Sequence, residues 1–154
     1  MGVLTQSAQE GFNFQKKIKF SDLTEAASAT AESVVIAKIP ADSVVEKVAY
    51  YLETEFSGGS VSALTIEAGD EDDSNGYIES KSVLTGATPI SSAYNDGAYL
   101  NDGTTANTIN GKHYDNSAEK TLSVTFSPTG DALANLEAGV LVVKAKVLDL
   151  TKEL

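Results

Sequence analysis

The chain has 154 residues, 42% hydrophobic and 21% charged. This is ordinary globular usage, which excludes wholesale disorder and fits one domain with its own core. There is no Cys, which excludes disulfides, thiolate metal sites, iron–sulfur clusters and cysteine nucleophiles. Eleven basic residues, all Lys, stand against 22 acidic ones for a net charge of −11, so a chain this acidic and without Arg forks is a poor candidate for nucleic acid.

The opening Met1-Gly2-Val3-Leu4-Thr5-Gln6 has no basic n-region or apolar run, and Gln6 stands where a myristoylation signal wants Ser or Thr. No apolar stretch approaches the roughly 18–20 residues that cross a bilayer. The reading is a soluble chain made in the cytoplasm, with no membrane partner. Residues 1–13 mix small and polar types without a period and read as a flexible arm. Phe14, Lys16, Ile18 and Phe20 then share one parity against Gln15, Lys17 and Lys19, which is a half-buried strand with Lys16 as its one polar intrusion. Ser21–Thr24 turns the chain. Glu25–Ala31 is Ala-rich enough for a short helical turn, weakened by Ser28 and Thr30.

Ser33–Ile39 is β-branched and ends at Pro40. Ser43–Phe56 is a long strand whose alternation fails between Val45 and Val48, the mark of a bulge or of two-sided burial. Ser57-Gly58-Gly59-Ser60 breaks it. Ala63–Ala68 follows, with Leu64 and Ile66 inward, and Tyr77–Leu84 resumes the strand pattern beyond an acidic loop. Residues 85–118 are rich in Gly, Asn, Asp, Ser and Thr, with short strands expected near Ala98–Leu100 and Thr108–Asn110. Lys120–Ser127 alternates cleanly. Pro128-Thr129-Gly130 reads as a turn, and Asp131 as the N-cap of a short helix, Ala132–Ala138, stopped by Gly139. Val140–Leu150 is the last strand, with Leu141, Val143, Ala145 and Val147 on one parity.

The expectation is all-β: about seven to eight antiparallel strands and one short helix, in a sandwich spanning 14–150 with a tail at 151–154. A jelly roll is the leading topology and a plain Greek-key sandwich the second.

Candidate chemistry is thin. His113 is the one His. It has no partner at a useful spacing and reads as a surface histidine. No Gly-x-Ser-x-Gly elbow or phosphate-cradling loop occurs, so no catalytic residue and no cofactor is expected. The sharpest local feature is Gly69-Asp70-Glu71-Asp72-Asp73-Ser74-Asn75-Gly76. It reads first as an acidic hairpin loop closed by Asn-Gly. The alternative is a hard-cation loop of Asp70, Asp72, Asp73 and Asn75, since Ca²⁺ wants clustered oxygens. It is not an EF-hand, because Ser82 stands where the bidentate Glu belongs. The six Tyr suit core and interface packing better than a sugar platform, there being no Trp.

In order along the chain stand Ile18-Lys19-Phe20-Ser21-Asp22-Leu23-Thr24, Ile39-Pro40-Ala41-Asp42-Ser43-Val44-Val45, Leu64-Thr65-Ile66-Glu67-Ala68-Gly69-Asp70 and Asn75-Gly76-Tyr77-Ile78. Val124-Thr125-Phe126, Gly130 and Ala138-Gly139 complete the series. This series resembles small jelly-roll virion structural proteins encoded near the capsid genes of tailed bacteriophages, over about residues 18 to 150. Asp42 departs from the usual Gly of the second motif. The resemblance implies a non-enzymatic capsid decoration (cement) protein on the outside of the phage head. It would bind the major capsid protein lattice, associate with itself as a homotrimer and belong to the virion. The arm, with Val3, Leu4, Phe12 and Phe14, is expected to bind the partner and order as it does so. The alternatives are a carbohydrate-binding β-sandwich module, or a fibre or tail component for host attachment.

Overall fold

Strands form where alternation sorts large apolar side chains onto one face of the chain. The computed structural model describes residues 11–101, 111–115 and 118–153. Among them the strands are β1 (Phe14–Lys19), β2 (Glu32–Ile39), β3 (Ser43–Ser57), β4 (Ala63–Gly69), β5 (Ile78–Ser82), β6 (Ser92–Tyr94), β7 (Lys112–Tyr114), β8 (Lys120–Thr129) and β9 (Ala138–Asp149). One sheet runs β1-β9-β3-β6 with β7 also on β3, and the other runs β2-β8-β4-β5. All of these pairings are antiparallel. Strands β6 and β7 lie along the same edge of β3, opposite Ala49–Tyr51 and Ser43–Val45, so they are one edge strand interrupted by the intervening loop. Counted that way, each sheet has four strands and the chain crosses between sheets at every connection except the β4–β5 hairpin. That is the jelly roll.

The core lies between the sheets. Ile18, Val45, Val48, Leu52, Leu141 and Val143 from the first meet Ile39, Leu64, Ile66, Leu122, Val124 and Phe126 from the second, all buried. Each such side chain contributes about 1.5–3 kcal/mol on leaving water. At one end Phe126 meets Phe56 edge to face, ring centres 5.5 Å apart. Phe56 packs directly on the backbone of Gly139, whose φ of +138° and missing Cβ make room for the ring.

Lys16 shares the inward parity of β1 but sits on the open edge of the sandwich. Its Nζ donates to the Val35 carbonyl at 3.0 Å, beside a bulge in β2 between Val35 and Ala37. Asn13 extends β1 by side chain: its Nδ2 donates to the Val147 carbonyl at 2.7 Å while its Oδ1 accepts from the Val147 N–H at 2.9 Å. The broken alternation of β3 is a register shift between Val45 and Lys47, which is the bulge of the two readings the sequence left open.

Several local expectations are corrected. The helix expected at Ala132–Ala138 is a single 3-10 turn, Leu133–Asn135, and Ala138 already begins β9. Leu133 and Leu136 both anchor in the core, and three residues are all the β8–β9 connection needs. Asp131 accepts from the Ala132 N–H and from Asn135 Nδ2, each at 2.8 Å, and also from the Ser60 N–H at 2.8 Å. It therefore bolts two loops together instead of capping a helix. Glu25–Ala31 holds a turn with Ala29 at φ 55°, because Glu32 draws the Thr24 and Glu25 N–H groups to its carboxylate. Strand β8 runs through Pro128, which pairs with Leu64 of β4. The β2 register stops at Phe126, so only one neighbour flanks the proline and its missing donor costs little. Ala98–Leu100 forms a turn, not a strand, and Thr108–Asn110 lies outside the described residues.

Truncating the ring that both sheets share tests this packing. Phe126→Ala is expected to lower unfolding free energy by about 3–5 kcal/mol, read from the midpoint of urea denaturation.

Candidate functional site

Where β4 ends at Gly69, the chain turns and carries Asp70 inward, buried to 7% exposure. The turn is self-made: Asp70 Oδ1 accepts from the Asp72 and Asp73 N–H groups at 2.9 and 3.0 Å, while the Asp70 N–H donates to the Asp73 carbonyl at 3.1 Å. Two tyrosines from distant segments reach the same carboxylate, and a third joins them. Tyr99 donates to Oδ1 at 3.0 Å and Tyr114, the last residue of β7, donates to Oδ2 at 2.6 Å. Tyr77, beside β5, hydrogen-bonds to the Tyr114 hydroxyl. A phenol has one proton and that of Tyr114 goes to Asp70, so Tyr77 is the donor in this pair. The proton chain runs Tyr77 to Tyr114 to Asp70.

The rings pack as closely as the hydroxyls. Tyr77 and Tyr99 meet edge to face at 5.1 Å, and Gly76 leaves room for the Tyr99 ring where a Cβ would collide with it. Lys112 Nζ stands 4.3 Å from the Tyr99 ring centre, a cation–π contact. Burial, and after it the hydrogen bond to Asp70, pushes the Tyr99 and Tyr114 hydroxyls well above the ordinary tyrosine range. Burial does the same to Tyr77. These phenols stay neutral donors around a single carboxylate. The cluster is a staple joining the β4–β5 loop, the segment after β6, and β7.

The rest of the acidic loop is directed elsewhere. Glu71 accepts from the Thr121 hydroxyl and N–H, which hold its carboxyl below its ordinary value. Asp72 pairs with Lys120 at 3.1 Å, and Asp73 Oδ1 accepts from the Asn75 N–H at 3.3 Å. The structure thus does not bring Asp70, Asp72, Asp73 and Asn75 around a common point. Among the described residues no three His, Asp or Glu side chains converge as a metal site. His113 is exposed on β7, opposite Val44. Of the arm residues, Val3 and Leu4 lie outside the described residues. Phe12 lies against Ala49, Tyr51, Val142 and Lys144, and Phe14 opens β1, partly exposed beside Pro40 and Leu148.

The two outward faces differ in chemistry. That of the β2-β8-β4-β5 sheet bears hydroxyls, with Ser33, Thr121, Ser123 and Thr125 lining a shallow groove of about 250 Å³ together with Asp70 and Glu71. That of the other sheet is apolar at its centre, with Tyr51 and Tyr94 exposed.

No protein-family model and no curated protein sequence matches this chain. Its fold is similar to that of a chain in the solved structure of the cyanophage Pam1 capsid asymmetric unit. The TM-score is 0.53 at 15% identity, covering 90% of this chain and 87% of that one. The likeness is one of fold, across nearly the whole jelly roll.

Removing one phenol tests the staple. Tyr114→Phe strands Asp70 Oδ2 and the Tyr77 hydroxyl without their partner, and is expected to cost about 1–3 kcal/mol at neutral pH. Folding raises the tyrosine pKa values above their unfolded value of 10.0. Above that pH the unfolded chain sheds protons that the folded chain keeps, so stability declines as pH rises. Urea midpoints measured upward from about pH 9 are expected to fall for the wild type, and to fall less steeply for Tyr114→Phe.

Proposed function

We propose that this chain is a non-enzymatic structural protein of a tailed-phage virion, seated on the outside of the head as a decoration protein that stabilises the shell. The single observation that carries this reading is the jelly roll shared, over 90% of the chain, with a chain of a phage capsid asymmetric unit. The ordered series of motifs from Ile18 to Gly139 supports it from the sequence side. The physical chemistry is compatible: a rigid sandwich stapled by a buried polar cluster gives a fixed docking body. A net charge of −11 keeps crowded copies soluble and repels stray nucleic acid.

The arm supplies a second route to the shell in this reading. Asn13 is hydrogen-bonded into β9, and in this reading the contact with a neighbouring subunit is assigned to the arm before Gly11.

The test is addition of the purified protein to isolated heads lacking it, read by co-sedimentation and by the temperature at which heads release DNA. Saturable binding with a raised release temperature is expected. A protein that binds tails or host cells and leaves heads unaltered refutes the decoration role. Deletion of residues 1–10, which spares Phe12 and Asn13, is expected to weaken head binding at least about tenfold while the circular dichroism spectrum and melting temperature are unchanged.

A further inference from the structure

Parity sets Ala49 and Tyr51 of β3 and Val142 of β9 on the side of their sheet away from the core. Val142 pairs with Tyr51, and Tyr94 of β6 pairs with Ala49. Tyr51 is 57% exposed and Tyr94 45%. A single exposed aromatic is ordinary, but neighbouring ones with apolar side chains between them mark a surface that another segment covers.

The N-terminal segment enters the sheet at this strip. The Asn13 N–H donates to the Ala145 carbonyl at 3.0 Å, and its side chain is tied to Val147. Phe12 then turns over β9 and shares a notch of about 120 Å³ with Ala49, Tyr51 and Val142. The Lys47 ammonium of β3 stands 5.9 Å from the Phe12 ring centre, and a Cβ on Gly11 would meet it at 2.8 Å. The chain thus passes from the outer seam of β9 toward β3, on a course whose next strand is β6 with Tyr94. Residues 1–10 continue from there, and their large aliphatic side chains are Met1, Val3 and Leu4. Neighbouring strands lie about 4.8 Å apart, whereas the stretch from Gly11 back to Leu4 can span about 23 Å when extended. Leu4 can therefore reach any point of the strip.

We propose that residues 1–10 fold back over this strip of their own chain in the free protein, seating Val3 and Leu4 against Tyr51 and Tyr94. The occupant is assigned to this chain because Phe12 already lies on the strip and directs the segment across it. A tethered segment also meets the strip at an effective concentration that a separate molecule does not match. Burial of two aliphatic side chains is set against the entropy of ordering the chain that carries them, so the contact is reversible and adds little to the melting temperature. The arm then has two alternative seats: its own sheet in solution and, in the decoration reading, a neighbouring subunit on the head. The inference concerns the free chain and stands without that reading.

The chain has no Cys, so introduced thiols test the contact without background. Thr5→Cys with Ser92→Cys places thiols beside Leu4 and opposite Tyr51 and leaves the apolar side chains in place. This pair is expected to close a disulfide at least about tenfold faster than Thr5→Cys with Ser123→Cys, whose second thiol lines the groove on the other sheet. Closure is read as the loss of two hydrogens at the mass of the monomer. In parallel, nitration of Tyr51 and Tyr94 by tetranitromethane is mapped in the full chain, in a chain lacking residues 1–10, and in Val3→Ser with Leu4→Ser. Both changes are expected to speed nitration at these two tyrosines several-fold with an unchanged circular dichroism spectrum. Equal closure rates for the two thiol pairs overturn the proposal, as does nitration that is indifferent to the arm. A disulfide-linked dimer that forms faster than the intramolecular bond overturns the seat on the same chain. Head binding is not read in any of these measurements, so their failure leaves the decoration role standing.

Discussion

Every strand of this chain has one face that must leave water, and pressing two sheets together removes both sets of faces at once. That constraint dictates the rest. Ile18, Leu141, Val143 and Val48 on one side find Leu122, Val124, Phe126 and Ile66 on the other, and every connection but the β4–β5 hairpin crosses from sheet to sheet. The long pair β3 and β9 forms the spine of the first sheet, paired from Ser43 opposite Asp149 to Ser57 opposite Ala138 with three register shifts between. Bulges in β2 and β3 absorb the mismatch between straight ladders and twisted sheets.

A sandwich is closed on its faces but open at its ends and edges, and the polar devices stand there. Lys16 bridges an open edge by donating across to the Val35 carbonyl. Asp131 ties the loops at the Phe56 end. At the other end Asp70 goes inside, and the cost of burying a carboxylate is offset only because donors surround it. Two backbone N–H groups and two tyrosine hydroxyls meet its oxygens. Among the described residues no buried side-chain polar atom lacks a partner, so the cluster stabilises its end of the fold as a saturated unit.

With the interior given to structure, the surfaces are what distinguish this molecule. One outward face is coated with serine and threonine hydroxyls. The other has Tyr51 and Tyr94 exposed at its centre. The proposed place on a phage head draws on this difference between the faces.

The sequence by itself determined the seven longer strands, with inward residues read from parity, and the sandwich, because period-2 alternation is local and burial follows parity; the three-residue strands β6 and β7 were too short to show a period. It marked a break in alternation after Val45, open between a bulge and two-sided burial, and the register shift decides for the bulge. It also pointed to the 69–76 segment as the sharpest feature, but not to its structure. Asp70 read as a solvated carboxylate in an acidic run, whereas the fold buries it under Tyr77, Tyr99 and Tyr114. Those tyrosines lie far apart in the chain and belong to no common period, so only the closing of the two sheets brings them together. The expected helix after Asp131 failed on the same ground: its local signals were sound, but Leu133 and Leu136 had core sites to fill within a single turn. Tertiary structure alone decided that β6 and β7 are one interrupted edge strand, and that Tyr51 and Tyr94 share one outward face. Adjacency across strands is set by register, and register is a property of the assembled sheet.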